Sequence, residues 1–227
     1  MELIVGSDEI FSFESKGFVE LPGIFTEKEL TRLKDSIEST LEKRYDASKE
    51  KFYRFKPKEW YLKSRDLFRD SSDIRRVLLN GKLGKVSAQL IHQRPLRLAA
   101  DQWLFGGEPL PFRNNLMKSF PFQGTLMGAI ICLGGDNSIS QDKEEGAPSL
   151  FFSKEPGHVV LFKGGLPLDF AEDYTPPACC NYLTIVIAKQ KSIYTLQEND
   201  PCTHHLKNLG FGFGDRLNDV EHPYLIR

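Results

Sequence analysis

The side chains that most often bind metals in proteins are five histidines and four cysteines, and their spacing does not favour a metal site. His204 and His205 are adjacent, with Asp215 further along the chain. Neighbouring side chains point apart on a strand and lie about 100° apart on a helix, so one ion rarely binds both histidines. No two cysteines form a C-x-x-C pair, which argues against zinc. Cys179 and Cys180 are more typical of buried small residues than of reactive thiols, because no local cation or helix start would lower their pKa.

The sequence gives little support for a phosphate-binding or nucleic-acid-binding site. The chain has no G-x-G-x-x-G or G-K-[ST] motif, so its glycine pairs predict turns. Residues 43–63 interleave lysines with aromatic residues, a mixture that suits single-stranded nucleic acid. The whole chain nevertheless carries a net charge of −1, whereas nucleic-acid binders have a strong positive field. We therefore expect neither nucleic acid nor a membrane among its partners.

The composition is that of a globular protein of 227 residues, with 40% hydrophobic and 27% charged residues. No apolar run approaches the roughly 20 residues that span a bilayer, and the acidic beginning does not resemble a signal peptide. These features predict a cytoplasmic protein with reduced cysteines. No linker interrupts the chain, so we expect one domain over residues 1–227.

Helical patterns precede strand patterns along the chain. A capping box at Thr26 and Glu29, followed by apolar residues at helical spacing, predicts a helix over 27–44. Ser72 is expected to cap a short helix that Gly81 ends, and a further helix is expected over 82–91. Apolar, β-branched runs at 126–133, 158–163 and 182–188 predict strands, with a less regular one at 96–105. This order indicates an α+β chain in which N-terminal helices support a β-sandwich or barrel.

Four segments in this order resemble the phytanoyl-CoA dioxygenase-like family. The segments are F-E-S-K-G-F-V-E-L-P-G-I-F-T at 13–26, L-A-A-D-Q at 98–102, P-G-H-V-V-L-F-K-G-G at 156–165, and L-K-N-L-G-F at 206–211 with G-D-R-L at 214–217 and Pro223 beyond. The resemblance implies a double-stranded β-helix, a jelly roll of the cupin type, with N-terminal helices packed against one sheet. It also implies the family's Fe(II) and 2-oxoglutarate chemistry.

The family's ligand residues do not carry over to the matching positions. The family binds iron with two histidines and one carboxylate, the first two spaced as His-x-Asp or His-x-Glu. None of the five histidines is followed two residues later by an acid. The pair is expected near 119–123 and the second histidine near 165–169, where no histidine occurs. The 2-oxoglutarate arginine is expected near Asn181, but the chain has no arginine between Arg113 and Arg216.

We therefore expect a catalytically degenerate member of this family, with no catalytic, cofactor-binding or metal-binding residues and no cofactor. Its role would be to bind a small molecule or a protein partner, with Lys163 or Lys189 available for an anionic group. One alternative is an active Fe(II)/2-oxoglutarate oxygenase with unusual ligands, such as His158, Asp169 and His204. Another is a scaffold without a pocket that uses an exposed aromatic patch over 45–61. The expected pocket-lining residues are Trp103, Phe120, Phe122, Gln123, Phe162, Lys163, Tyr182 and Lys189.

Overall fold

The fold combines N-terminal helices with one sheet. The computed structural model describes residues 4–46, 57–106, 119–135, 152–166, 176–177 and 180–227. The helices are α1 (Ser7–Lys16), α2 (Glu27–Tyr45), α3 (Pro57–Lys63), α4 (Leu67–Asp70), α5 (Ser72–Leu78) and α6 (Lys82–Ile91), and a 3-10 helix covers His205–Leu209. The strands are β1 (Phe18–Leu21), β2 (Leu96–Leu104), β3 (Phe122–Gly134), β4 (Val159–Lys163), β5 (Asn181–Tyr194) and β6 (Tyr224–Ile226).

The six strands form one antiparallel sheet in the order β1-β4-β3-β5-β2-β6. The predicted strands are confirmed, although β3 and β5 are longer than their apolar runs. β3 and β5 run through the middle of the sheet, and their side chains are buried along most of their length. Burial on both faces explains why these strands appear as continuous apolar runs instead of alternating patterns.

The predicted helix around residue 30 is confirmed together with its cap. The Thr26 hydroxyl accepts the amide of Glu29, and the Glu29 carboxylate accepts the amide of Thr26. Leu33, Ile37 and Leu41 are buried on one face, as their spacing predicts. The helix over 82–91 is also confirmed. One cap was predicted one residue too late, because the hydroxyl of Ser71, and not that of Ser72, accepts the amide of Ile74.

The two faces of the sheet have different neighbours, and the register assigns each side chain to one of them. We call the face that carries Asp101, Trp103 and Lys163 the helix face. Asp101 accepts the amides of Leu67 and Phe68 in α4, and the Trp103 ring lies 5.8 Å from that of Trp60 in α3. We call the opposite face the far face. The expected packing of N-terminal helices against the sheet is thereby confirmed.

The interleaved aromatic segment is not an exposed patch where the structure describes it. Tyr45, Trp60 and Tyr61 are buried, and Tyr61 is fully so. The expectation of an exposed patch was wrong for these three residues, because their rings fill the space between the first helices and the sheet. Phe52, Tyr53 and Phe55 lie outside the described residues. None of the described helices has the length and apolar character needed to cross a membrane.

Candidate functional site

The far face carries a row of side chains that changes from apolar to polar across the sheet. Val160, Ile130, Thr184 and Gln102 are register partners on adjacent strands, and Arg65 pairs with Gln102 beyond the edge of β2. The Thr184 hydroxyl is buried and has no hydrogen-bond partner among the described residues. A buried hydroxyl without a partner is costly, so this position is a natural place for a polar contact from a ligand or another part of the chain.

The buried guanidinium of Arg65 lies at the polar end of this row. Arg65 is 2% exposed, and it donates to Gln102 Oε1 at 2.7 Å and to the Tyr61 hydroxyl at 2.7 Å. Its Nη2 also lies 3.2 Å from Oδ1 of the fully buried Asp200. The Phe120 ring covers the guanidinium at 4.2 Å. Because these partners surround Arg65, its charge is neutralised within the protein and holds the edge of β2 to the C-terminal segment.

The thiol of Cys202, next to the Arg65–Asp200 ion pair, is not a nucleophile at neutral pH. Burial raises the pKa of Cys202 to about 11, against the opposing charge of Arg65. A thiol with this pKa remains protonated, and only the thiolate attacks electrophiles. Cys180 is also buried, whereas Cys179 lies outside the described residues.

The expected pocket-lining residues lie on both faces of the sheet and not around one cavity. Phe162 and Tyr182 are on the far face, and Phe120 lies at its polar end against Arg65. Trp103 and Lys163 are on the helix face. The other three residues lie elsewhere: Phe122 packs edge-on against His222 at 5.9 Å, Gln123 is exposed on β3, and Lys189 is exposed on β5.

The five histidines lie within the described residues, so their positions test directly whether the chain fits an iron centre. His158 bonds through Nδ1 to Glu20 on the edge strand β1 at 2.7 Å. His205 lies 3.7 Å from Asp66, which bonds to Asp101 of β2 and is therefore nearer the edge of the sheet opposite β1. The His204 ring lies 5.8 Å from that of Phe213, His222 is buried beside Arg69, and His92 follows the last residue of α6. Within the described part of the chain, no three His, Cys, Asp or Glu residues meet in a group that could hold a metal.

The histidine positions do not fit a centre with two histidines and one carboxylate. The segments outside the described residues contain no histidine, so they cannot supply the missing imidazoles. In the set His158, Asp169 and His204, the two histidines lie near opposite ends of β3, because His158 bonds to Cys132 and His204 lies near Phe213 beside Tyr194. Asp169 lies outside the described residues.

Two buried titratable groups outside the far-face row, Asp101 and His222, have strongly shifted pKa values. Burial and the nearby Asp66 carboxylate raise the pKa of Asp101 to about 7, although two backbone amides act in the opposite direction. Burial and the charge of Arg69 lower the pKa of His222 to about 3. His222 is therefore neutral at physiological pH, and its Nε2, which lies 3.1 Å from Arg69 Nη2, accepts that hydrogen bond.

The Arg65–Asp200 pair could not be found from local sequence. The two residues are separated by 135 positions, and each lies in a segment without a motif. The one sequence feature that pointed to this region was Gln102, a partner of Arg65. Gln102 ends the L-A-A-D-Q segment, which resembles the strand before the family's metal site.

A groove opens on the helix face near the end of β4. It has a volume of about 680 Å³. Its lining combines half-buried apolar side chains with lysines, and Lys163 is the one expected pocket residue that takes part in it. The lining residues are Phe13, Glu14, Ser15, Lys16, Gly17, Leu90, Ile91, His92, Leu126, Lys163, Gly165 and Leu166.

The fold is similar to the folds of several solved enzymes described as non-heme and α-ketoglutarate-dependent. The carbocyclase SnoK from nogalamycin biosynthesis is similar with a TM-score of 0.64 and 14% identity, over 97% of this chain and 96% of that chain. The epimerase SnoN, in complex with Fe3+, α-ketoglutarate and nogalamycin RO, gives 0.63 and 15%, over 96% and 97%. CytC3 with Fe(II) and α-ketoglutarate gives 0.56 and 14%, over 84% and 79%. No family model and no curated protein matches the sequence.

These similarities confirm the predicted resemblance at the level of the fold. They also correct the expectation of a chain with no cofactor. That expectation was wrong for this fold, because the solved structures that share it include SnoN and CytC3 with iron and α-ketoglutarate bound.

Proposed function

We propose that this chain is a single-domain, jelly-roll protein that uses the oxygenase fold to bind a ligand or partner and does not carry out oxygenation through the standard iron centre. One observation carries the proposal: the five histidines lie in different surroundings, no three His, Cys, Asp or Glu residues meet among the described residues, and no histidine is followed by an acid at the His-x-acid spacing. A facial iron site needs imidazole and carboxylate donors that converge on one point. Among the described residues, no such set of donors converges.

The far face supports a binding role because it combines apolar side chains with one polar group that has no partner among the described residues. Phe162 and Tyr182 are buried on this face, and the Thr184 hydroxyl is buried there without a hydrogen-bond partner in that part of the chain. Ligand sites typically combine an apolar lining with a few placed polar groups. Binding by such a face requires no metal, and binding of 2-oxoglutarate or iron without turnover would also agree with the proposal.

The second candidate is an oxygenase with unusual ligands. It is favoured by the fold neighbours that hold iron and α-ketoglutarate. The positions of His158 and His204 count against the particular set formed with Asp169, since the first lies beside β1 and the second beside the end of β5.

An anaerobic titration followed by exposure to oxygen separates the two candidates. The purified chain is titrated with Fe(II) and 2-oxoglutarate, and succinate and carbon dioxide are measured after oxygen is admitted. We expect no succinate above the level given by free iron and 2-oxoglutarate. Stoichiometric iron binding with catalytic formation of succinate would overturn the proposal. If succinate forms, a His158→Gln and a His204→Gln variant test the proposed set, and Lys189→Met, at an exposed position on β5, is the matched control.

A further inference from the structure

The groove on the helix face combines a lysine, Lys163, with apolar side chains, and neither is an iron ligand. Lys163 alternates with Phe162 along β4, so it points away from the far face and toward α1. The groove and the far-face row are therefore on opposite sides of the sheet. A ligand in the groove would be separate from the far-face row, although it would contact Gly165 and Leu166, which begin the segment 165–169 where the resemblance places the second histidine.

The ammonium group of Lys163 is held in place at the wall of the groove. Its Nζ donates to the backbone carbonyl of Glu14 at 2.9 Å and lies 5.6 Å from the centre of the Phe13 ring. This carbonyl belongs to the last turn of α1, where a positive charge is favourable. An ammonium has three N–H donors, so two remain for an incoming acceptor. A cation already fixed in position binds an anion with little further loss of side-chain freedom.

The charge and the apolar area of the groove lie side by side. Lys16 and Lys163 line it against one carboxylate, that of Glu14, and the exposed His92 lies at the end of α6. Ile91, Leu126 and Leu166 contribute half-buried apolar surface next to these charges. Gly17, at a φ of +82°, lies directly against Leu166, and a Cβ there would lie 2.6 Å from Leu166 Cδ1. The absence of a side chain at position 17 therefore lets Leu166 form this wall.

We propose that the groove binds the carboxylate of a medium-chain, fatty-acid-like molecule, with Lys163 as the main anion contact. The alkyl chain lies over Ile91, Leu126 and Leu166, and Lys16 adds a second positive charge near the carboxylate. The volume of about 680 Å³ lies within the usual range for small-molecule sites. This inference rests on the binding role proposed above. It names a ligand class and a site for that role, and this site lies on the opposite side of the sheet from the far-face residues.

Isothermal titration calorimetry with decanoate tests the inference. The titration is done below the micelle concentration and with EDTA present, so that iron plays no part. We expect one decanoate per chain, and Lys163→Met should weaken its binding about tenfold, the effect of losing one charged hydrogen bond. Lys189→Met is the matched control, since Lys189 is exposed on β5 and does not line the groove, and it should leave decanoate binding unchanged.

A second variant and a second ligand keep the test decisive. Leu126→Trp places a large side chain in the groove while both lysines remain, and it should abolish decanoate binding even if Lys163→Met fails to fold. Decanol, which lacks the carboxylate, should bind more weakly than decanoate and should not respond to Lys163→Met. Absence of decanoate binding, equal binding of decanol, or binding unchanged by Leu126→Trp would each overturn the inference. Succinate formation in the iron assay would instead overturn the proposed function and leave the groove intact.

Discussion

Replacing His222 tests whether this buried imidazole, next to Arg69, is neutral in the folded protein. The imidazole is 0% exposed and accepts a hydrogen bond from Arg69, with the rings of Phe122 and Phe211 edge-on at 5.9 and 5.3 Å. Burial and the Arg69 charge lower its pKa from 6.5 to about 3. As the pH falls below 6.5, the unfolded chain therefore gains a proton on this residue that the folded chain does not. The contribution of His222 to stability is complete above pH 6.5 and is lost as the pH falls toward 3.

The size of this effect follows from the two pKa values. Between pH 7 and pH 5, a shift from 6.5 to about 3 lowers the free energy of unfolding by about 2 kcal/mol. His222→Gln removes the titrating ring and keeps an acceptor for Arg69. The variant loses aromatic packing, so we expect it to be less stable than the parent at pH 7. At pH 5 this deficit should be smaller by about 2 kcal/mol, because only the parent has the acid-sensitive group.

Urea unfolding at the two pH values, followed by circular dichroism, measures this difference. Leu217→Ala, at another buried position in the C-terminal segment, serves as the non-titrating control, and its deficit should be the same at pH 7 and pH 5. A His222→Gln deficit that does not change between the two pH values would refute the assignment of a neutral, buried imidazole.

Two further predictions concern neighbouring groups. Because the folded-state pKa of Asp101 is raised to about 7, its contribution to stability is complete below pH 3.8 and is lost as the pH rises through 7. Asp101→Asn should therefore show a larger stability deficit at pH 5 than at pH 8, and an equal deficit in urea unfolding would contradict the raised pKa. Arg65→Met leaves the Asp200 carboxylate buried without its partner and should cost about 3–5 kcal/mol in urea unfolding. The double variant with Asp200→Leu should recover part of this loss, and a fully additive loss would show that the two charges do not interact.

Short-range bonding made several elements predictable from the sequence. The capping box at Thr26 satisfies backbone amides within three residues, and the spacing of Leu33, Ile37 and Leu41 reflects the turn of a single helix. The first helix and β1 were not predicted as elements, because α1 has one fully buried side chain and β1 has four residues. Such short segments are stabilised by neighbours and not by their own pattern.

The sequence by itself determined what the site lacks: a histidine with an acid two residues later occurs nowhere, and no fold can create that pair at adjacent positions of one strand. Only the tertiary structure decided what the remaining residues do. It placed Lys163 on the helix face and Phe162 on the far face, buried Trp60 and Tyr61, and paired Arg65 with Asp200 across 135 positions. The physical reason is the separation along the chain between the residues that interact. Caps and helical spacing depend on bonds within one or two turns, whereas burial and buried ion pairs depend on which distant segments the sheet brings together.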